Sequence, residues 1–197
     1  AMPTLRRFRA DLHIHTVASD GTASVSAVLD HVAAMGDLDV IAITDHERID
    51  AAVAARAMAA DRGLPFEVVV GEEVTTLGGH LLALYLDRPI RPYRSLRSTI
   101  LAVHDAGGMA IPAHPLVPFP LCAQGWMLRS LLDDPDEACH PDGLECFNPT
   151  ALGRPWRDRL DLAGQARASA MMQLHGHSDL LARVLAGRGV LPEAAAL

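Results

Sequence analysis

A chain of 197 residues, half of them hydrophobic, is long enough for one sizeable domain and too short for two comfortable ones. A net charge of −7, with no Lys/Arg stripe interleaved with aromatics, argues against a large nucleic-acid footprint; only a short phosphate-bearing end stays within reach. No low-complexity block, no apolar run of membrane-spanning length and no signal-peptide core at residues 1–4 appears, so the expectation is a globular, enzyme-like protein with no membrane partner. Cys122, Cys139 and Cys146 are odd in number and lack C-x-x-C spacing, which fits a reducing cytoplasm better than a disulfide scaffold or a zinc knuckle. Ten histidines stand out, because most sit beside Asp, Gly or Pro at the ends of apolar runs.

In chain order, residues 9–15 read as a first strand, and His13 and His15, two apart, present both imidazoles to one face. Asp20-Gly21 then predicts a turn that swings a carboxylate back toward those rings, the outline of a metal site. Residues 24–35 form an amphipathic helix stopped by Gly36, and 39–46 a buried, β-branched strand. Residues 50–62 are an Ala-rich helix, and 67–76 a strand. Gly78-Gly79 separates that strand from 80–86, either as a hairpin or as two consecutive strands. A helix over 94–106 precedes a strand over 109–115, and 116–142 is an irregular insertion with a short helix at 127–132. Residues 143–148 read as strand, 154–170 as helix, 171–177 as strand and 180–187 as a closing helix before an Ala-rich tail. Such alternation implies a mainly parallel sheet or barrel with right-handed crossings.

Polar clusters close these runs: His13/His15, Asp45-His46, Glu73, His80, His114 and Asp179. In parallel α/β folds the carboxyl ends of the strands share one rim, so residues distant in sequence can meet there. Asp45 is a candidate to orient His46 by accepting a ring N–H. Of Glu72 and Glu73, alternation sends one to the site face and the other toward solvent. His31, His104 and His140 read as ordinary surface or packing residues. No G-x-S-x-G elbow, P-loop or G-x-G-x-x-G occurs, and no cysteine stands out as a nucleophile.

The ordered set Asp11-Leu12-His13-Ile14-His15-Thr16, Ser19-Asp20-Gly21, Ile43-Thr44-Asp45-His46, Gly71-Glu72-Glu73, His80 in His-Leu-Leu-Ala-Leu, Ala113-His114-Pro115 and Gly176-His177-Ser178-Asp179 resembles the polymerase and histidinol phosphatase (PHP) family. It is most similar to the family's stand-alone metal-dependent phosphoesterases. The resemblance implies one compact domain over residues 1–197, with an atypical last stretch from Leu180 onward. Its fold would be a distorted (β/α)7, TIM-like barrel with two to three divalent ions, Zn, Mn or Fe, at the carboxyl ends of the strands. Carried over by position, His13, His15, Glu73 and Asp179 hold the first metal. Glu73 bridges to a second, held also by His80 and His114. Asp20, His46 and a final histidine hold the third. Here Leu181 stands in that histidine's place, and His177 is the candidate substitute ligand.

The implied chemistry is hydrolysis of a phosphomonoester or short phosphodiester by metal-activated hydroxide on a small phosphorylated substrate. Arg154 and Asn148 are candidate phosphate contacts, and Glu145 a candidate pocket-lining residue. Two alternatives stand beside it: a metal-binding pseudo-enzyme with a regulatory role, which Leu181 favours, and a 5′–3′ exonuclease-type nuclease acting on oligonucleotide ends.

Overall fold

In a computed structural model of the chain, residues 9–118 and 120–145 are described, together with Ala166, Ala170 and Gln173. The chain packs as two compact units, Ala1–Arg154 and Pro155–Leu197. In the second, the three described residues are all helical, as expected for Ala166 and Ala170 and against the expected strand at Gln173. The surrounding Ala-Met-Met-Gln-Leu run lacks β-branched residues and consists of strong helix formers.

The first unit is built on five strands that lie side by side in chain order: β1 (Ala10–Ile14), β2 (Val40–Ile43), β3 (Glu67–Thr76), β4 (Gly79–Leu84) and β5 (Met109–Pro112). β1, β2 and β3 pair in parallel, whereas β4 pairs antiparallel with both β3 and β5. Four strands therefore run one way and β4 runs against them, a mixed α/β sheet. The Gly-rich separator between β3 and β4 is a hairpin turn: Thr76 pairs with Gly79, and the Gly78 amide donates to the Thr76 hydroxyl.

Helices α1 (Val25–Met35) and α2 (Asp50–Asp61) pack Leu29, Val32, Ala52 and Ala55 onto Ile41, Ile43, Val68 and Val70. Farther along the same outer face, α3 (Leu96–Asp105) and α4 (Gly125–Leu132) cover Val74, Leu81, Ala83 and Ala110 with Ile100, Val103 and Leu128. α1 begins where Ser24 accepts the Ala27 amide and ends on Gly36, which takes the left-handed conformation. The inner face carries a smaller apolar cluster, Ala42, Val69, Leu82, Leu84 and Ala113, with Leu12 against it.

The sheet is strongly curled. Five flat strands would separate β1 from β5 by roughly 19 Å, yet the rings of His13 on β1 and His114 just past β5 stack 6.0 Å apart. A half barrel results, with its rim residues turned inward. Segment 143–145, expected as strand, is not one; it runs beside β5, tied by Asp142 N–H to Ala110 O (2.9 Å) and Glu145 N–H to Pro112 O (3.2 Å). Among the described residues no helix is long and apolar enough to cross a membrane.

His104 on α3 fastens this last segment to the core. Its Nδ1 faces the Ala138 carbonyl (2.6 Å) and its Nε2 faces the Asp142 carboxylate (3.0 Å). Both partners can only accept, so both ring nitrogens must donate and the imidazolium is favoured. Burial lowers the His104 pKa, but Asp142 and the Ala138 carbonyl outweigh it and raise it above 6.5. That stabilisation is fully present below the unfolded value and fades as pH rises through the folded one. His104→Ala should therefore cost on the order of 1 kcal/mol near pH 6, and the gap between variant and wild type in urea melts should narrow toward pH 9.

Candidate metal centre

The site begins with a defect in β1. Asp11 pairs with Ile41 and Ile14 with Ile43, so β1 holds one residue more than its partner between those points. This bulge puts both Leu12 and His13 on the inner side and returns Ile14 to the outer core. The chain then loops back on itself: the Gly21 amide donates to Thr16 O (3.0 Å), and a Cβ on Gly21 would lie 2.3 Å from the His15 carbonyl oxygen. Only glycine fits that approach. Asp45, buried at the end of β2, secures the loop by accepting from the Thr16 amide and hydroxyl (both 2.8 Å) and from the Ser19 hydroxyl.

Glu73 lies on the inner face of β3, 2 % exposed, with five imidazoles around its carboxylate. Oε2 is 3.0 Å from His13 Nε2, 2.9 Å from His15 Nε2 and 3.6 Å from His46 Nε2. Oε1 is 2.9 Å from both His80 Nδ1 and His114 Nε2. His80 reaches the same rim because β4 is reversed; it lies at that strand's beginning, not at its end as expected. Glu73 is likewise within β3, level with His46, with which it forms an isolated parallel bridge.

The outer nitrogens of the first two rings are committed. His13 Nδ1 donates to Glu145 Oε1 (2.8 Å) and His15 Nδ1 to Asp20 Oδ1 (2.7 Å). When neutral, both rings therefore aim Nε2 lone pairs inward, and the two nitrogens lie 3.0 Å apart. With Glu73 Oε2 they form a triangle of acceptors about 3 Å on each side, the edge length of an octahedron whose centre lies about 2.1 Å from each corner. Three converging lone pairs need a cation. Without a metal a proton serves: burial lowers the His13 pKa, yet Glu145 and Glu73 overcome it and push it up to about 10. The same rings hold Glu73 well below the usual carboxylate range, against the upward pull of its burial.

Among the described residues, three groups of side chains can hold a metal ion: His13, His15 and Glu73; His15, Asp20 and His46; and His46, Glu73 and His80. The residues singled out in the sequence thus converge, with His15 and His46 each belonging to two groups. Asp20, 68 % exposed, reaches both His15 and His46, the latter at 3.7 Å from its Oδ2. Asp179, His177, Asn148 and Arg154 lie outside the described residues.

Two sequence expectations need correction. Asp45 does not orient His46; its oxygens are taken by Thr16 and Ser19. Glu72 is not solvated but fully buried on the outer face, where its Oε1 accepts the Ile90 amide and its Oε2 has no hydrogen-bond partner among the described residues. Burial pushes its pKa up to about 7. Cys122 and Cys139 are buried thiols whose pKa burial raises, which disfavours the thiolate at both; Cys146 lies outside the described residues. What the sequence did not reveal is the outer support, Glu145 behind His13 and Cys122 Sγ 3.0 Å behind His114 Nδ1. No spacing rule links residues that far apart in the chain.

No family model matches the chain. It is 33 % identical over 151 residues to the uncharacterized protein MJ1587 of Methanocaldococcus jannaschii, covering 71 % of this chain and 81 % of that one. The chain belongs to the family of this archaeal protein. A shorter stretch, 86 residues and 42 % of the chain, is 37 % identical to the 3′,5′-nucleoside bisphosphate phosphatase of Chromobacterium violaceum, of which it spans 29 %. Among solved structures, a candidate metal-dependent phosphoesterase of Bifidobacterium adolescentis matches with a TM-score of 0.58 at 19 % identity, over 72 % of this chain and 78 % of that one. A two-domain protein of Bacteroides vulgatus containing a predicted PHP-like metal-dependent phosphoesterase matches at 0.52 and 19 %, over 68 % and 42 %. An amidohydrolase of Chromobacterium violaceum with bound sulfate and no metal matches at 0.52 and 21 %, over 69 % and 76 %. At these identities the likeness is one of fold, shared with metal-dependent phosphoesterases and an amidohydrolase alike.

Removing Asp45 tests the loop's anchorage. Asp45→Ala leaves the buried Thr16 donors unpaired and should lower stability by about 2–4 kcal/mol. Denaturant melts of metal-free protein should show the loss, since the anchorage is built from protein groups alone.

Proposed function

We propose that the chain is a PHP-type metal-dependent phosphoesterase that hydrolyses a phosphomonoester or short phosphodiester of a small molecule. The triangle of His13 Nε2, His15 Nε2 and Glu73 Oε2 carries the reading, because acceptors spaced about 3 Å apart and shielded from water need a cation at their centre. Mixed imidazole and carboxylate donors suit Zn, Mn or Fe. His13, His15 and Glu73 would hold a first ion. The other oxygen of Glu73, with His80 and His114, would hold a second, and Asp20 and His46, with His15 beside them, a third. Bound there, divalent ions polarise water and neutralise phosphoryl oxygens.

The chain's own groups supply the rest. Glu73 presents one oxygen to His13 and His15 and the other to His80 and His114, which divides the site into two halves about one carboxylate apart. The loop tied down by Asp45 keeps His15 and Asp20 in place, so little reorganisation is needed when charge develops. Asp20 stands at the open side, where a phosphate ester enters. Arg154 and Asn148 are the proposed phosphate contacts. Support also comes from the stretch shared with the bisphosphate phosphatase. The buried free thiols Cys122 and Cys139 accord with a reducing cytoplasmic setting.

Purified protein should hydrolyse a generic aryl phosphate when loaded with manganese, zinc or iron, and lose that activity on chelation. Glu73→Ala should lower kcat/KM by about 10³-fold or more, because it removes the bridging ligand and leaves five imidazoles without a counter-charge. Metal uptake without turnover on any phosphate ester would point instead to a regulatory metal-binding protein. Turnover confined to oligonucleotide ends would point to a nuclease.

A further inference from the structure

Glu145 belongs to none of the three groups that can hold a metal ion among the described residues, and the reading above gives it no role. Its carboxylate nevertheless spans the mouth of the half barrel. Oε1 accepts Nδ1–H of His13, which stands on β1 at one edge of the sheet (2.8 Å). Oε2 accepts the backbone N–H of His114, which follows β5 at the other edge. The backbone that leads to this carboxylate is fixed to β5, through Asp142 to Ala110 and through the Glu145 amide to Pro112. His114 has φ +30°, a conformation that needs outside support in a residue with a Cβ. That support comes from Oε2 and from the neighbouring Ala113 amide, which donates to His80 O at 3.0 Å.

We propose that Glu145 is a positioning residue that ties the two halves of the metal centre together. One oxygen fixes the tautomer and plane of the His13 ring, and the other fixes the turn that delivers His114. The ions on the two oxygens of Glu73 are therefore bound interdependently. This rests on the metal-dependent reading above. A carboxylate behind a ligating imidazole sets which nitrogen faces the metal and raises its basicity. Cys122 provides a contrast, since its sulfur lies behind the His114 ring and has no counterpart contact on His13. Loss of Cys122 should disturb one half of the centre, whereas loss of Glu145 should disturb both.

Glu145→Gln keeps an oxygen for one partner but cannot accept from His13 and His114 at once, and Glu145→Ala keeps neither contact. Manganese titrations by calorimetry, followed by electron paramagnetic resonance, separate the possibilities. Wild type should take up two to three ions and show a spin-coupled pair at two equivalents. Both Glu145 variants should bind about tenfold to hundredfold more weakly and show the hyperfine pattern of isolated ions. Cys122→Ala should weaken one ion and leave the other unchanged. In metal-free protein, 15N spectra of the histidines should show a protected His13 Nδ1–H that Glu145→Ala abolishes. Should the alanine variant fail to fold, the glutamine variant decides. If Glu145→Gln keeps wild-type affinity and the coupled signal, and only KM for an aryl phosphate changes, the residue is a substrate contact and the inference falls alone. If wild type itself takes up no manganese, the metal-dependent reading falls and the inference with it.

Discussion

A carboxylate buried among five imidazoles sets the terms for the rest of this molecule. Transferring Glu73 from water into the inner face of a sheet costs several kcal/mol unless charge and hydrogen bonds replace its hydration. Each surrounding ring arrives on a different stretch of chain: His13 on β1, His15 in the loop after it, His46 past β2, His80 on β4 and His114 past β5. The rings gain a counter-charge from Glu73, and Glu73 gains donors or a shared cation from the rings. Neither side is stable in that position alone, so the site and the rim of the fold form together.

Two departures from a regular parallel sheet make that convergence possible. The bulge in β1 adds a residue between Asp11 and Ile14, so that His13 joins Leu12 on the inner face without displacing Ile14 from the outer core. The reversal of β4 brings the start of a strand, and with it His80, to the rim where its neighbours end. The curl of the sheet then reduces a separation of four strand spacings to a ring-stacking distance between His13 and His114. Glu145 secures that closure with two hydrogen bonds. These devices cost regular ladder hydrogen bonds, which is tolerable at a rim where metal ligation or protonation can compensate.

Much of this was legible in the residues. Ser24 and Gly36 mark the ends of α1, β3 covers 67–76 as its pattern predicted, and the Asp20-Gly21 turn does return a carboxylate to His15. Local chemistry suffices in each case: a cap, an alternation, a glycine with another backbone against it. The failures share a different physical origin. Asp45 next to His46 looked like its orienting partner, but the nearest residue in sequence was not the nearest donor, because the β1–α1 loop brings Thr16 and Ser19 onto it. His80 was assigned to a strand end because the direction of β4 depends on a two-residue turn whose outcome the glycine pair left open. The partnership of Glu145 with His13 joins residues 132 positions apart and leaves no periodic trace.

Glu72 and Glu73 condense the argument into one dipeptide. They differ by a single step along β3, so the pleat sends them to opposite faces of the sheet, and both are removed from water. On the inner face, imidazoles on every side keep Glu73 ionised far below the usual carboxylate range. On the outer face, with one amide donor from Ile90 and the Glu47 carboxylate adding to the upward push of burial, Glu72 is pushed up to about 7 and is partly protonated at neutral pH. The same side chain is thus an anion on one side of a layer one strand thick and only partly ionised on the other. Burial acts on both; what separates them is the charge within reach. That is why a count of acidic residues says little about this chain, whereas the identity of the neighbours brought in by β1, β2, β4 and β5 decides which carboxylate can serve a cation.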